Sequence, residues 1–180
     1  MQHLEEQLES QTLYNGKIIR VVRDRVRLEN GREAFREVVH HPGGVCVLAL
    51  TEQQEVLLVR QFRYPYGEEL LELPAGKREP GEDPRLCGIR ELEEETGYQA
   101  GEFLDFGRLY PTPGYCGEII YLFLARDLRP SRQHLDEDEF LDVVKLPLSE
   151  ALAMVLDGRL PDAKTQIALL KYAALSSQGK

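Results

Sequence analysis

The sequence predicts an α+β or layered α/β domain. Strand patterns dominate the first third of the chain, helical patterns are interspersed later, and no internal repeat is visible. With 180 residues, of which 42% are hydrophobic, the chain is long enough to bury a sizeable core. We therefore expect one compact domain, with at most a small appendage.

Two strands are predicted near the N terminus, joined at Asn30-Gly31. The stretch KIIRVVRDRVRLENGREAFREVV alternates apolar and charged residues on both sides of this dipeptide, and Asn-Gly is a strong signal for a hairpin turn. The apolar runs VCVLAL and VLLVRQF are separated by the polar stretch TEQQE, so they predict a buried hairpin. The short run LLEL predicts a further strand inside a loop region that is rich in Pro and Gly.

One helix has clear signals at both ends. Asp83 suits the N-cap, Pro84 suits the first helical position, and Gly97 suits the position just after the helix. Beyond it, FGRLYPTPGYCGEIIYLFLARDL predicts a loop that leads into a strand, and LDEDEF predicts an acidic loop. Two final helices are predicted from LSEALAMVLDG and AKTQIALLKYAAL.

Composition limits the classes of function. A net charge of −9 disfavours broad binding to nucleic acid or to an anionic membrane. It allows a phosphate-bearing small molecule where metal ions reverse the charge locally. The sequence has no run of about 18 apolar residues, so no transmembrane helix is predicted, and its acidic start argues against a secretory signal peptide. Cys46, Cys87 and Cys116 are widely spaced and odd in number, which favours a reducing cytoplasm over a disulfide scaffold.

Four glutamates crowd into five positions of GIRELEEETGY, residues 88–98. Like charges three or four positions apart repel each other on a helix, so the run is either a solvated acidic face or faces something positive. A helical wheel separates two sets of side chains. The apolar side holds Leu86, Ile89, Leu92 and Thr96, with Glu93 among them, and the opposite side holds Glu91, Glu94 and Glu95. Three converging carboxylates suit a hard cation such as Mg²⁺, and Arg90 is placed to orient one of them.

Glycines and charged residues around this run form a longer spacing pattern within GKREPGEDPRLCGIRELEEETGY, residues 76–98. The pattern is Gly76, five residues, Glu82, seven residues, Arg90-Glu91-Leu92, one residue, Glu94-Glu95, one residue and Gly97-Tyr98. It resembles the Nudix box, the signature of hydrolases that cleave nucleoside diphosphates linked to another group. One departure is Tyr98, because a smaller aliphatic residue is more usual at that position.

The resemblance implies a site for Mg²⁺ or Mn²⁺ held against a pyrophosphate. Carried over by position, Glu91 and Glu95 would bind the metal, Glu94 would share or bridge it, and the backbone carbonyl of Ala75 would be a further ligand. Glu82 would brace the loop instead of touching the metal. Repulsion among the glutamates would be relieved when cations bind.

Further segments are similar to the bacterial ADP-ribose pyrophosphatases within this superfamily. Those enzymes carry a proline sixteen residues after the last glycine of the box, commonly in a Ser-Pro-Gly turn. Here Pro113 and Gly114 stand at that place, and Thr112 replaces the serine. The resemblance also covers REVVHHPGGVCVLAL, VRQFRYP, ELPAGK, LDEDEF and DAKT, which together span nearly the whole chain.

Substrate contacts are carried over onto Arg36, Arg63 and Glu118, together with Pro113 and Gly114. Arginine suits this role because its planar guanidinium pairs with two phosphate oxygens at once. The residues alone allow a plainer interpretation, in which Arg36 and Glu118 lie on exposed strands.

The resemblance also implies that a glutamate of LDEDEF is the general base that accepts a proton from the attacking water. Glu137 and Glu139 are the candidates, and alignment through the SEA stretch favours Glu137. Glu94, next to the metal, completes the implied catalytic set. Taken alone, an acidic loop of this kind is usually a solvated turn.

The fold implied by the resemblance is the Nudix fold, an α/β/α sandwich with a mixed sheet. An N-terminal strand segment is expected at residues 1–40 and a catalytic domain at residues 41–180. In the most similar enzymes this segment is exchanged between subunits, so the resemblance implies a homodimer in which Arg36 serves the partner's site.

The implied reaction is metal-dependent hydrolysis of ADP-ribose to AMP and ribose 5-phosphate in the cytoplasm, with no nucleic-acid or membrane partner. One alternative is hydrolysis of another nucleoside diphosphate sugar, linked to GDP or UDP. A second alternative is a non-catalytic ligand sensor built on the same domain. The intact box argues against the sensor, as does the lack of an appended DNA-binding domain.

Overall fold

The structure is a computed structural model of the chain, and it describes residues 3–137 and 139–178. Strands precede and surround a central helix, and two further helices follow the last strand. The elements are β1 (Glu6–Asn15), β2 (Arg20–Arg27), β3 (Glu33–His40), β4 (Gly44–Ala49), β5 (Glu55–Arg63), β6 (Glu68–Glu72), β7 (Ala75–Lys77), α1 (Pro84–Thr96), β8 (Tyr98–Leu109), β9 (Ile120–Pro130), β10 (Leu141–Pro147), α2 (Leu148–Leu156) and α3 (Ala163–Ser177).

The chain divides into two compact units, and the first comprises residues 3–43 and 110–119. Its antiparallel sheet has the order β1-β2-β3. The predicted hairpin at Asn30-Gly31 is confirmed, since β2 and β3 pair in register on either side of this turn. Strand β1 was not predicted, because EQLESQTLYN is almost wholly exposed and lacks the apolar alternation of a half-buried strand.

The second unit comprises residues 44–109 and 120–178 and holds two sheets. A mixed sheet has the order β7-β4-β9-β8, in which β4 and β9 are parallel, and an antiparallel sheet has the order β10-β5-β6. The hairpin predicted from VCVLAL and VLLVRQF is therefore wrong: β4 and β5 belong to different sheets, next to a bridge between Leu50 and Val56. Each strand is central in its own sheet and pairs along both edges. This explains why all of β4 and residues 56–59 of β5 are buried and continuously apolar.

Helices cover both sides of the mixed sheet. Alternate residues of a strand face opposite sides, and in β4 Cys46 packs into a core cluster with α2 and α3. Its neighbour Val47 packs into a second cluster with Cys87 and Leu92 of α1. The α/β/α sandwich is therefore confirmed, and so are the two helices expected at the end of the chain.

The predicted ends of α1 are also confirmed. The Asp83 carboxylate accepts hydrogen bonds from the backbone N–H groups of Arg85, at 2.9 Å, and Leu86, at 3.2 Å. Gly97 ends the helix in the left-handed conformation with φ of 70°, which glycine adopts without a steric penalty.

The predicted orientation of α1 is wrong. Leu86 and Ile89 are exposed, and the buried side of the helix carries Cys87, Gly88, Glu91, Leu92, Glu95 and Thr96. Gly88 shows the reason, because a Cβ there would lie 3.0 Å from the rings of both Phe103 and Phe123. The helix is turned so that its smallest residue meets these stacked aromatic rings, and that rotation carries two glutamates inward.

Strands β8 and β10 were not foreseen, and FGRL belongs to the end of β8 instead of the predicted loop. Strand β8 alternates exposed and buried residues irregularly, and β10 has only exposed and half-buried residues, so neither strand shows a clear period of two. Within residues 3–137 and 139–178, no helix has the length and apolar character needed to cross a bilayer.

Candidate active site

Glu91 and Glu95 lie one helical turn apart and are directed at strand β7. They are only 7% and 2% exposed. The Glu95 carboxylate accepts a hydrogen bond from the backbone N–H of Ala75 at 2.9 Å. A Cβ on Gly76 would lie 2.0 Å from the carboxyl carbon of Glu91, so only glycine leaves room for that carboxylate against the β7 backbone. The structure thus brings together three positions predicted at the metal: Ala75, Glu91 and Glu95.

Arg90 organises the remaining acids of the box. Its guanidinium lies 2.9 Å from the Glu91 carboxylate, 2.7 Å from that of Glu94 and 3.1 Å from that of Glu82. Glu82 also accepts a hydrogen bond from the backbone N–H of Glu79 at 2.9 Å. The placement fits the expectation that Glu82 braces the loop and that Arg90 orients neighbouring carboxylates.

The pKa values of the box glutamates are shifted in opposite directions. Hydrogen bonding from Arg90 lowers the pKa of Glu82 to about 2. Burial raises the pKa of Glu91 to about 7 and that of Glu95 to about 8, and the charge of Glu139 contributes to both. Arg90 only partly offsets this for Glu91. The buried pair is therefore a place where added positive charge would stabilise the ionised carboxylates.

A divalent cation fits this donor set in a limited form. No group of three Asp, Glu, His or Cys side chains in the described part of the chain lies close enough to hold a metal alone, and the Glu94 carboxylate is paired with Arg90. Mg²⁺, however, is commonly held by one or two carboxylates together with waters and substrate phosphates. Glu91, Glu95 and the β7 backbone would supply such a site, with Glu94 at its margin.

Of the two candidate bases, Glu139 has the closer electrostatic relation to the buried pair. Its charge raises the pKa of both Glu91 and Glu95, and its side chain is half-buried. Glu137 is exposed, although the sequence favoured it. Asp138, in the same acidic loop, lies outside the described residues.

A buried charged network that sequence reasoning missed surrounds Glu72, which is 2% exposed. Arg63 donates to both carboxylate oxygens of Glu72, at 2.6 and 2.9 Å, and Lys164 donates to it as well. Lys164 also lies 2.9 Å from Asp162, which caps α3. Arg63, predicted to contact substrate, is thus held by a buried carboxylate. In the sequence, the segments ELPAGK and DAKT, which begin at Glu72 and Asp162, show a family resemblance and no sign of this network.

The other predicted substrate residues lie in the first unit. Arg36 forms a two-point ion pair with Glu5, at 2.9 and 2.5 Å. Glu118 is partly buried and lies 3.4 Å from the ring of His41. Pro113 and Gly114 are exposed in the connection between β8 and β9. The metal-side residues and Arg63 belong to the second unit.

Comparison with known proteins identifies two family models on this chain. Residues 40–169 match the NUDIX domain, and residues 5–39 match the nucleoside diphosphate sugar hydrolase N-terminal domain. The first match alone covers more than half of the chain.

Three relatives are similar over most of their length. The chain is 41% identical to an ADP-ribose pyrophosphatase of Bacillus subtilis, over 94% of this chain and 93% of the relative. It is 40% identical to a methanol dehydrogenase activator of Bacillus methanolicus, over 92% and 90%. It is 39% identical to a GDP-mannose pyrophosphatase of Yersinia pestis, over 79% and 76%.

A solved structure described as an ADP compounds hydrolase superposes with a TM-score of 0.85, covering 97% of this chain and 96% of that one. At 23% identity, this likeness shows that the two chains share a fold.

Proposed function

This chain belongs to the Nudix family, and from that premise we propose that it is a metal-dependent hydrolase of nucleoside diphosphate sugars that acts on ADP-ribose. The proposed products are AMP and ribose 5-phosphate, with one water consumed. Similarity to the ADP-ribose pyrophosphatase of Bacillus subtilis over nearly the full length of both chains supports this choice of substrate.

The observation that carries the proposal is the buried pair Glu91 and Glu95 against the backbone of β7. Two ionisable groups only 7% and 2% exposed, with pKa values raised to about 7 and about 8, are expensive for a folded protein to keep without a function. Their oxygen donors match the preference of Mg²⁺ and Mn²⁺. We propose Glu91, Glu95 and the carbonyl of Ala75 as metal ligands, with Glu94 sharing or bridging.

A bound divalent cation would neutralise charge on the pyrophosphate oxygens. The chain's own residues would then aim and activate the water. We propose that Glu139, in preference to Glu137, accepts the proton of that water as its oxygen attacks phosphorus. A new P–O bond forms, the bond to the bridging oxygen of the pyrophosphate breaks, and that oxygen leaves with the other phosphate.

Arg63 is the substrate contact for which this structure offers the clearest physical support. Its guanidinium is held on one side by both oxygens of the buried Glu72, and about a third of its side chain is exposed. A guanidinium held in one orientation loses little entropy when it binds a phosphate. The other proposed substrate contacts rest on the family resemblance; they are Arg36, Pro113, Gly114 and Glu118.

We also propose a homodimer formed through the N-terminal segment at residues 1–40, which would be exchanged between subunits. Strand β1 lies at the edge of its sheet and exposes Leu13 and Tyr14, and an uncovered edge strand readily pairs with another chain. The cytoplasm is the proposed compartment, supported by the three free cysteines.

A second candidate within the family is another nucleoside diphosphate sugar. The N-terminal family model is named for that wider class, and the GDP-mannose pyrophosphatase of Yersinia pestis is nearly as identical to the chain as the ADP-ribose pyrophosphatase. This candidate keeps the metal, the general base and the bond that is cleaved. It changes only the nucleobase and the sugar that are recognised.

The test is an assay of purified protein against ADP-ribose, GDP-mannose, UDP-glucose and nucleoside triphosphates, with Mg²⁺, with Mn²⁺ and with EDTA. Phosphate is measured after a phosphatase is added, and AMP and ribose 5-phosphate are identified directly. We expect metal-dependent turnover with the highest kcat/KM on ADP-ribose. We also expect Glu95→Gln to lower kcat by at least about 100-fold, the scale of removing one group that stabilises the transition state.

Other outcomes of the panel separate the alternatives. A higher kcat/KM on GDP-mannose or UDP-glucose would keep the mechanism and replace the substrate. Absence of turnover on every compound, in folded protein that binds Mg²⁺, would contradict the enzyme proposal and favour the ligand sensor.

A further inference from the structure

Glu93 is the one glutamate of the acidic run at residues 91–95 that has no part in the reaction described above. It points away from the buried pair, and one of its carboxylate oxygens accepts two hydrogen bonds. The Gln99 side chain donates at 2.8 Å and the Ser131 hydroxyl donates at 2.5 Å. A glutamate in the last turn of a helix is disfavoured by the negative end of the helix dipole, so its presence there calls for a local benefit.

Residues 131–134, which follow β9 and include Ser131, cover the C-terminal end of α1. The last carbonyls of a helix have no partner within the helix, and two of them accept hydrogen bonds from this segment, as does the carbonyl of Gly97 just beyond the helix. The Gln133 side chain donates to the carbonyl of Glu95 at 2.6 Å. The backbone N–H of His134 donates to the carbonyl of Glu94 at 3.1 Å, and that of Ser131 donates to the carbonyl of Gly97 at 2.7 Å. Residues 131–134 are therefore fastened to the helix that carries the buried acidic pair.

This attachment lies immediately before the acidic loop. Glu139 follows His134 by five residues, and two residues after Glu139 the chain enters β10, where Leu141 pairs with Gln61 of β5. Six residues, 135–140, thus connect a point fixed on α1 to a point fixed on the sheet. The backbone N–H of Glu139 donates to the carbonyl of Asp136 at 3.0 Å, two residues after the attached His134, so the attachment to α1 limits where Glu139 can lie.

We propose that Gln133 and Ser131, together with Glu93, form an anchor that positions Glu139 for proton transfer next to Glu91 and Glu95. These are positioning residues, since their contacts are with the helix end and not with substrate. The proposal rests on the function proposed above, with Glu139 as base. The segment that leads to the base is thereby held on the same helix that carries Glu91 and Glu95.

The first test compares Gln133→Met with Gln166→Met. Gln166 is a matched control, since its side chain donates to the carbonyl of Leu160 at 2.7 Å in another part of the same unit. We expect Gln133→Met to lower kcat by about 10- to 100-fold, the scale of a small misplacement of a catalytic group. KM and the Mg²⁺ dissociation constant should be unchanged. Gln166→Met should keep kcat, and both variants should shift the unfolding midpoint similarly.

A conservative pair at Ser131 sharpens this result. Ser131→Thr keeps the hydroxyl that reaches Glu93 and should retain kcat, whereas Ser131→Ala removes it and should lower kcat. Hydrogen exchange supplies a readout that does not depend on turnover: Gln133→Met should speed exchange at the His134 amide, and Gln166→Met should not.

The decisive comparison uses Glu139→Gln as background. If the anchor acts through Glu139, adding Gln133→Met to Glu139→Gln lowers kcat no further. An equal additional loss would overturn the proposal, as would a Gln133→Met variant that keeps kcat. If Glu139→Gln alone kept full activity, both the assignment of Glu139 as base and the anchor proposal would be contradicted. The protein would still hydrolyse its substrate, so this outcome is distinguishable from failure of the proposed function.

Discussion

The two buried acidic centres of the second unit show opposite electrostatic arrangements. Glu72 and Glu95 are both 2% exposed. Although burial opposes ionisation of Glu72, Arg63 and Lys164 lower its pKa. Burial raises the pKa of Glu95 to about 8, and no cationic side chain in the described residues forms an ion pair with it. The first centre balances its own charge, which suits a structural role, and the second gains stability from a cation supplied by a ligand.

The largest expected effect comes from breaking the balanced centre. Lys164→Met leaves Glu72 and Asp162 short of a buried positive charge, so we expect the free energy of unfolding to fall by about 3–5 kcal/mol. Urea denaturation measures this change. Arg159→Met removes a solvent-exposed pair with Asp157, 2.7 Å apart, and is the matched control that should leave the midpoint unchanged. A similar midpoint for both variants would show that the Glu72 network contributes no more to stability than an exposed ion pair.

A smaller effect is expected from a change beside the second centre. Gly76→Ala places a methyl group where the Glu91 carboxylate now lies. Since that carboxylate is the end of a flexible side chain, it can move aside and the fold should persist. We expect the Mg²⁺ dissociation constant to rise by about 10- to 100-fold, as for a displaced metal ligand, with little change in circular dichroism. Titration calorimetry measures the binding, and unchanged affinity would contradict the placement of Glu91 at the metal.

The smallest effect concerns pH. The pKa values of Glu91 and Glu95 are about 7 and about 8 in the folded protein, above the ordinary value of 4.5. Their contribution to stability is therefore fully present below pH 4.5 and is lost as the pH rises through 7 and 8. Without metal, the free energy of unfolding should fall between pH 7.5 and pH 8.5 by an amount on the order of 1 kcal/mol, mostly through Glu95.

Saturating Mg²⁺ should flatten or reverse that trend, because a cation binds the ionised carboxylates. Glu95→Gln should flatten it without metal, since the amide does not titrate in this range. Thermal melts of both proteins across the pH series test this, and a slope that survives in Glu95→Gln would assign the effect to other groups.

Local sequence signals predicted part of this structure accurately. Asp83, Pro84 and Gly97 marked the ends of α1, and Asn30-Gly31 marked the turn between β2 and β3, because capping and turn chemistry depend on a few adjacent residues. The pairing of β4 and β5 was predicted wrongly because β4 and residues 56–59 of β5 are buried on both faces, so neither run has a polar face to show which neighbour it takes.

The candidate site was predictable as a set of positions but not as a geometry. Glu91 and Glu95 were expected opposite the apolar side of α1, and they lie on its buried side. A helical wheel assumes that apolar residues determine the packed face, whereas here a glycine against two aromatic rings determines it. In the network of Arg63, Glu72 and Lys164, the contact between Glu72 and Lys164 joins residues 92 positions apart. No local sequence pattern predicts such a contact.

Gly88 also has an evolutionary consequence. A Cβ at this position would lie 3.0 Å from the rings of Phe103 and Phe123, so the depth of the helix, and with it the depth of Glu91, depends on a missing methyl group. A larger residue at position 88 would push α1 outward unless a ring shrank in return. In homologous sequences we therefore expect positions 88, 103 and 123 to change in a coordinated manner, with side-chain volume gained at one of them and lost at another.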